Sequence, residues 1–227
     1  MIAKEPDRTL PILRAGAPLE KALGALVLLH GRGGSAQDIM PLGHALTGSR
    51  LALLAPQAPE HTWYPQSFLA PRQQNEPYLS SALAQVGDAV ELALSAGLQS
   101  SQIALCGFSQ GACLATEFVG RNPRRYAGLL AFTGGLIGPL EQPLSLAGDL
   151  AGTPVLLSSG DPDPHVPWKR VQQTGELLGG IGARVTVNRY PGRPHTILPE
   201  EVQNGKQLLS GYSELRHPHR HKLQTCR

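Results

Sequence analysis

Short apolar runs alternate along the chain with segments whose apolar residues recur at helical spacing. The continuous runs 24–29 and 51–55 are typical of strands buried on both faces of a parallel sheet. Residues 79–96 carry apolar side chains three or four positions apart, and Gly97 follows, which predicts a helix that ends at a glycine. Further strands are predicted at 102–106, 128–132, 154–158 and 184–187, and further helices from 36, at 112–119, at 168–179 and from 199.

This alternation with short connections predicts the α/β class, a mostly parallel central sheet with helices on both faces. A chain of 227 residues fits one domain, which we place at residues 1–212. Residues 213–227 form a polar, basic tail where the hydrophobic periodicity ends, and we expect this tail to be poorly ordered. Residues 60–77 and 138–152 are predicted as connections.

Composition narrows the function class. The excess of positive over negative charge lies in residues 214–227, so the body of the protein has no character of a nucleic-acid-binding surface. The three cysteines do not form a disulfide framework and suit a reducing compartment. The N-terminal residues lack a signal-peptide layout, and no apolar run approaches the ~20 residues that span a bilayer. We therefore expect a cytoplasmic protein without stable membrane association.

The segment Gly107-Phe108-Ser109-Gln110-Gly111 matches the pattern G-x-S-x-G. It lies between a predicted buried strand and a predicted helix, which is the context that gives the pattern meaning. There the serine occupies a sharp, strained turn that exposes its hydroxyl at the sheet edge, and the glycines allow strand and helix to approach closely. The alternative is an ordinary glycine-rich turn without a catalytic role.

Two further groups follow later strands, where sites of open α/β sheets gather. The chain order Ser109, Asp163, His195 is nucleophile, acid, base, the order of α/β-hydrolases. In such a triad His195 takes the proton of Ser109 and a carboxylate orients the imidazole. From the residues alone Asp161 competes with Asp163 for the acid role. His30 and His165 compete for the base role, but neither follows the last predicted strand.

A tetrahedral intermediate also needs donors for its oxyanion. One is expected at the residue after the nucleophile, which is Gln110, and the other in a loop after an early strand. The segment His30-Gly31-Arg32-Gly33-Gly34 follows the first long buried strand, and the backbone N–H of Arg32 is the candidate. The alternative of a phosphate-binding loop lacks the Lys-Ser/Thr that such loops carry.

These four segments, Leu29–Gly34, Gly107–Gly111, Gly160–Pro167 and Gly192–Ile197, together resemble the carboxylesterase/lysophospholipase group of α/β-hydrolases, relatives of acyl-protein thioesterases. The resemblance covers about residues 20–200. It implies an α/β-hydrolase fold with little or no lid and hydrolysis of carboxylic esters or thioesters without metal or organic cofactor. It assigns the acid to Asp163 rather than Asp161, and the oxyanion donors to the backbones of Arg32 and Gln110.

Two features depart from the family pattern. Arg32 stands where the thioesterases proper usually carry an apolar residue, so the chain is more similar to the bacterial carboxylesterases of the group. The segment after about Glu201 does not resemble the apolar closing helix of the family.

Aromatic residues are concentrated in the loop 63–69 of a chain that holds only 5% of them. We expect Trp63, Tyr64, Phe68 and Leu69 to line the acyl or alcohol pocket, because such pockets are mainly apolar. The alternative is that they pack the loop onto the body. The alternate-residue histidines at 217, 219 and 221 are not a convincing metal site, and none is predicted.

The predicted function is a serine carboxylesterase that hydrolyses esters, or thioesters or lysophospholipids, through an acyl-enzyme intermediate. An acyltransferase would use the same triad with an acceptor other than water. A third alternative is a hydrolase fold without activity that acts as a binding protein, and the retained Ser, Asp and His argue against it. The expected partner is a small ester, with no nucleic acid, and the sequence is compatible with a homodimer.

Overall fold

The computed structural model describes residues 11–214, the last four as backbone only. Its strands are β1 Ile12–Gly16, β2 Ala25–Leu29, β3 Ala52–Pro56, β4 Ile103–Phe108, β5 Gly128–Phe132, β6 Pro154–Asp161 and β7 Arg184–Pro191. Its α-helices are α1 Ala36–Thr47, α2 Tyr78–Ser95, α3 Gln110–Arg121, α4 Trp168–Gly180 and α5 Pro199–Glu214.

The seven strands form one sheet in the order β1-β3-β2-β4-β5-β6-β7. All neighbours pair in parallel except β1, which pairs with β3 in the antiparallel direction. The α/β class and the mostly parallel sheet predicted from the sequence are therefore confirmed. The sequence pattern did not predict β1, a short edge strand with Arg14 at its centre.

The pleat of each central strand divides its side chains between two hydrophobic layers. In β2, Val27 and Leu29 face one layer, which α2, α3 and α4 cover. Leu26 and Leu28 face the other layer, which α1 and α5 cover. Both faces are buried, which explains why these strands are continuous apolar runs rather than alternating ones.

Helix α5 closes the second layer although its sequence departs from an apolar closing helix. Leu209 is buried in this layer, and Val202 and Leu208 pack against it. The helix continues to Glu214, two residues past the predicted domain boundary at 212. The remainder of the predicted tail, residues 215–227, lies outside the described residues.

The parallel topology brings the carboxyl ends of β2 and of β4 through β7 to one edge of the sheet. The loops that leave this edge carry the predicted site residues of the segments around 30, 109, 163 and 195. In the part of the chain that the structure covers, no helix combines the length and the apolar character required to cross a bilayer.

Candidate active site

Ser109 occupies the turn between β4 and α3 with a positive φ of 55° and ψ of −120°. Such a conformation costs on the order of 1–3 kcal/mol for a residue other than glycine and persists only where its surroundings enforce it. Here the Ser109 amide donates to the carbonyl of Phe132 at 3.0 Å, and its own carbonyl accepts the amide of Cys113 at 3.0 Å. Neighbouring backbone thus holds the strained turn on both sides.

The glycines of the motif make the turn sterically possible. A Cβ on Gly107 would lie 2.3 Å from the carbonyl carbon of Gly111, and a Cβ on Gly111 would lie 2.1 Å from the carbonyl oxygen of Leu29. Strand β4 therefore contacts the start of α3 directly, and α3 rests on the end of β2. This close packing leaves the Ser109 side chain half-buried at the sheet edge.

The structure brings Ser109, His195 and Asp163 together. His195 Nε2 lies 2.9 Å from Ser109 Oγ, and His195 Nδ1 lies 2.9 Å from Asp163 Oδ2. Because a carboxylate only accepts, Nδ1 carries the proton and Nε2 is left to accept the serine hydroxyl. The arrangement can move a proton from the hydroxyl to the imidazole and stabilise the cation that forms.

The carboxylate of Asp163 is fixed before it contacts the imidazole. Its side chain has no exposed surface, and Oδ1 accepts the amides of His165 and Val166 at 2.9 Å each. Burial acts to raise the pKa of this carboxyl. The hydrogen bond from His195 and those from the two amides outweigh burial, so the pKa of Asp163 is lower than its ordinary value.

The competing acid and bases have other partners. Asp161 forms an ion pair with Arg189 on β7.

The competing base His30 is 1% exposed. Its Nε2 accepts the amide of Ala58, and its Nδ1 donates to the carbonyl of Gly31. Burial lowers the pKa of His30. His165 is exposed, and its ring packs edge-on against that of His195 with centroids 4.9 Å apart.

The predicted oxyanion donors border Ser109. A Cβ on Gly31 would lie 3.5 Å from the Cβ of Ser109, so the loop of residues 30–34 contacts the serine. Among residues 11–214, the backbone N–H groups of Arg32 and Gln110 donate to no protein acceptor. The N–H of Gln110 also opens α3, where the helix dipole favours negative charge.

The aromatic loop is placed differently from the pocket prediction. Trp63 is 2% exposed and Tyr64 is 1% exposed, and both belong to the main hydrophobic core. The packing alternative therefore describes these two residues. Phe68 is also buried at 7%, and Leu69 is partly buried against the same core.

Residues 63–66 instead connect the two loops that carry the predicted oxyanion donors. The side-chain amide of Gln110 accepts the Trp63 N–H at 3.0 Å and donates to the Tyr64 carbonyl at 2.8 Å. The Trp63 indole donates to the His30 carbonyl at 2.8 Å.

Arg32 donates to the carbonyls of Pro65 and Gln66 at 3.0 and 2.8 Å. We name residues 63–66 the oxyanion brace.

Both cysteines in the described part of the chain are buried and free. Burial raises the pKa of Cys106, and it raises the pKa of Cys113 to about 12. A raised pKa disfavours the thiolate and both thiols are buried, so neither is a candidate nucleophile. Within residues 11–214, no three His, Cys, Asp or Glu residues are grouped so that they could hold a metal ion.

A match to a protein-family model shows which family the chain belongs to. The family model described as Phospholipase/Carboxylesterase matches residues 12–212. The chain belongs to the phospholipase/carboxylesterase family. The resemblance that the four sequence motifs carry is therefore confirmed.

The chain is similar to several proteins of known name, and the share of each protein that it matches differs. The chain is 47% identical to the phospholipase/carboxylesterase of Dyadobacter fermentans, with a TM-score of 0.85 over 89% of this chain and 97% of that structure. It is 31% identical to acyl-protein thioesterase 1 of Gibberella zeae over 53% of this chain and 52% of that protein. It is 30% identical to a probable carboxylesterase of Oryza sativa subsp. japonica over 60% and 58%. The matches to these two curated relatives thus span little more than half their length.

Sequence reasoning missed a group of buried polar residues behind the site of this family member. Arg193 and Glu201 are 4% and 0% exposed, and they interact with Ser158 and Thr133, which are 1% and 0% exposed. The signal available in the sequence was Arg193 within the segment that resembles the family. Its burial could not be read from a loop rich in glycine and proline.

Proposed function

We propose that the protein is a serine hydrolase that cleaves carboxylic esters through an acyl-enzyme intermediate. The observation that carries the proposal is the continuous hydrogen-bonded path from Ser109 Oγ to His195 to Asp163, with both contacts at 2.9 Å. Heavy-atom distances of about 2.6–3.2 Å allow direct proton transfer. Membership of the phospholipase/carboxylesterase family supports the same class of reaction.

In the first half-reaction, Ser109 Oγ forms a bond to the ester carbonyl carbon while its proton moves to His195 Nε2. The carbonyl oxygen becomes an oxyanion, which the backbone N–H groups of Arg32 and Gln110 stabilise. The intermediate then breaks the bond to the alcohol oxygen, and His195 returns the proton to that leaving group. The products are the free alcohol and an ester of Ser109.

In the second half-reaction, water replaces the alcohol. His195 Nε2 takes a proton from the water, whose oxygen bonds to the acyl carbon of the Ser109 ester. The second tetrahedral intermediate uses the same two N–H groups. Its collapse breaks the bond to Ser109 Oγ, which regains a proton from His195, and the carboxylic acid leaves. Ser109, His195, the two N–H groups and water together supply every reacting and stabilising group that both half-reactions need.

The substrate we propose is a small carboxylic ester. Thioesters and lysophospholipids remain alternatives within the same chemistry, because an oxyanion also forms when either is attacked. Leu69, partly buried, and Phe68, which is 7% exposed, are the remaining candidates for contact with the acyl group. We place the reaction in the cytoplasm, which the small number of cysteines and the free thiols of Cys106 and Cys113 support.

A fluorophosphonate probe tests the nucleophile directly, because it labels only an activated serine. We expect labelling of the wild type and none of Ser109→Ala. Ser101→Ala is the matched control: it removes a serine hydroxyl of similar exposure at the opposite end of β4. Absence of labelling in folded wild-type protein would support a binding protein instead.

The substrate class is tested by a panel of acyl p-nitrophenyl esters, acyl thioesters and lysophospholipids. We expect hydrolysis of the esters to fall by about 10³-fold or more in kcat when Ser109 is replaced by alanine. Turnover of thioesters or lysophospholipids with a higher kcat/KM than any ester would assign the other substrate class.

A further inference from the structure

A buried arginine lies two residues before the histidine of the site. The Arg193 side chain is 1% exposed, although the loop around it is largely exposed and rich in proline and glycine. A guanidinium is costly to bury unless its donors and its charge have partners. The partners of Arg193 explain both its burial and its position.

The guanidinium of Arg193 bonds to the backbone on both sides of His195. Its Nη1 donates to the carbonyl of Pro194 at 3.0 Å and also to the carbonyl of Thr196. These carbonyls belong to the residues immediately before and after the histidine. The side chain of Arg193 therefore fixes the backbone from which the imidazole projects.

The same guanidinium also contacts the end of β5, whose backbone accepts a hydrogen bond from the serine turn. Nη2 donates to Thr133 Oγ1 at 2.6 Å. Thr133 directly follows Phe132, whose carbonyl accepts the Ser109 amide at 3.0 Å. Arg193 thus joins the histidine loop to the backbone partner of the nucleophile.

A buried carboxylate from α5 balances the charge. Arg193 Nε lies 3.4 Å from Glu201 Oε2, and both side chains are at most 1% exposed. Within residues 11–214 this Nε makes no hydrogen bond, so the contact is an ion pair without a directed bond. Glu201 itself accepts the Leu198 amide at 2.8 Å and the hydroxyl of Ser158 on β6.

The loop backbone is also pressed against β6. A Cβ on Gly160 would lie 2.7 Å from the carbonyl oxygen of Arg193. The Gly192 amide donates to the carbonyl of Asp161 at 3.1 Å. Strand β6 therefore limits where Arg193 can lie, and Arg193 in turn limits where His195 can lie.

We propose that Arg193 is a positioning residue that, held by Glu201, sets the His195 imidazole at proton-transfer distance from Ser109. The inference rests on the proposed function. Arg193 touches none of the reacting atoms and acts through the carbonyls of Pro194 and Thr196. Because a displacement of about 1 Å can cost on the order of 10²-fold in rate, its loss lowers kcat rather than raising KM.

The first test measures kcat and KM with p-nitrophenyl acetate at a temperature well below each variant's unfolding midpoint. We expect Arg193→Gln to lower kcat by about 10–100-fold with KM within about 3-fold of wild type. Arg193→Lys keeps the charge beside Glu201 but lacks the planar fork. We expect it to recover much of the unfolding temperature and to remain about 5-fold or more below wild type in kcat.

Arg170→Gln is the matched control. Arg170 is also fully buried, and its guanidinium bonds to two successive backbone carbonyls, those of Gly138 and Pro139, outside the histidine loop. We expect this variant to lose unfolding temperature while its kcat stays within about 2-fold of wild type. An equal fall of kcat in the Arg170 and Arg193 variants would show that Arg193 is merely structural.

A second measurement does not depend on turnover. The proton between His195 Nδ1 and Asp163 gives a far-downfield NMR resonance when the imidazole is held in place. We expect the resonance in wild type and Arg170→Gln, and its loss in Arg193→Gln. Wild-type kcat together with an unchanged resonance in folded Arg193→Gln would overturn the proposal.

One outcome separates this inference from the proposed function. If the probe leaves the wild type unlabelled but the resonance still requires Arg193, the ester hydrolase proposal fails and the positioning role stands. If Arg193→Gln does not fold, Glu201→Gln replaces it, since this change removes the charge of the partner and leaves one acceptor oxygen in place of two. A fall in kcat of about 3–10-fold with unchanged KM supports the proposal, and wild-type kcat in both Glu201→Gln and Arg193→Lys overturns it.

Discussion

The imidazole Nε2 of His195 lies 2.9 Å from the hydroxyl oxygen of Ser109, although 86 residues separate the two in the chain. Their meeting depends on the parallel sheet, because β4 precedes Ser109 and β7 precedes His195, and both strands end at the same edge. Open α/β sheets gather their sites at such edges. The hydrogen bond is thus a consequence of topology rather than of local sequence.

Replacing each of the two candidate acids by asparagine gives a direct prediction. Asp163→Asn removes the carboxylate that accepts His195 Nδ1, so we expect kcat for p-nitrophenyl esters to fall by about 10²–10⁴-fold. Asp161→Asn, the matched control, weakens only an ion pair with the exposed Arg189 and is expected to leave kcat within about 2-fold. The reverse ranking would show that the acid is misassigned.

The lowered pKa of Asp163 predicts part of the acid sensitivity of folding. The folded state binds this proton at lower pH than the unfolded state does, because hydrogen bonds to the carboxylate outweigh its burial. The stabilisation is therefore complete above the unfolded value of about 3.9 and is lost as pH falls below it. Urea unfolding from about pH 6 down to pH 3 should show a shallower loss of stability in Asp163→Asn than in wild type. Parallel curves for the two proteins would contradict this contribution.

The oxyanion brace predicts a catalytic effect of a side chain whose backbone is the proposed donor. Gln110→Ala keeps the backbone N–H but removes the bonds to Trp63 and Tyr64, so we expect kcat to fall by about 10-fold. Gln102→Ala is a close control, because that amide likewise accepts one backbone N–H and donates to one carbonyl, away from the site. Both variants should lose about 1–2 kcal/mol of stability, and only the first should lose activity. Equal kcat values in the two would remove the brace from the mechanism.

Close packing at the Ser109 turn predicts a stability effect. A Cβ on Gly111 would lie 2.1 Å from the carbonyl oxygen of Leu29, so Gly111→Ala forces the backbone of α3 away from β2. We expect a loss of about 2–4 kcal/mol in the free energy of unfolding, measured with urea. In α4, a Cβ on Gly179 meets nothing within 4 Å, and Gly179→Ala should instead gain about 0.5–1 kcal/mol. Comparable changes in both would contradict the steric explanation.

The substrate pocket is tested with p-nitrophenyl esters from acetate to octanoate. If Leu69 and Phe68 contact the acyl group, alanine at either position should lower kcat/KM for the longer esters by about 3–10-fold more than for the acetate, as expected for lost apolar contact. Leu23→Ala, a change of an exposed leucine before β2, is the control. A chain-length profile that keeps its shape in folded Leu69→Ala and Phe68→Ala would place both residues outside the pocket.

The sequence by itself determined the α/β class and the approximate position of every strand and α-helix except β1. Continuous apolar runs such as 24–29 and 51–55 have no other stable place than a sheet covered on both faces, and helical periodicity fixes the segments between them. It also singled out Ser109 as the candidate nucleophile, because the strand, the turn and the helix that give its motif meaning are neighbours along the chain. The missed strand β1 is an edge strand with a charged residue at its centre, so it shows neither pattern.

Only the tertiary structure decided which side of the loop 63–69 faces the solvent. An aromatic segment has the same sequence whether it lines a pocket or packs on a core, and Trp63 and Tyr64 were found in the core. The burial of Arg193 and Glu201 was equally invisible, because charged residues are ordinarily exposed and each becomes tolerable inside only beside the other. Such contacts form between segments that are distant in sequence and meet only in the folded chain. Periodicity and motifs depend only on residues that are close together in sequence.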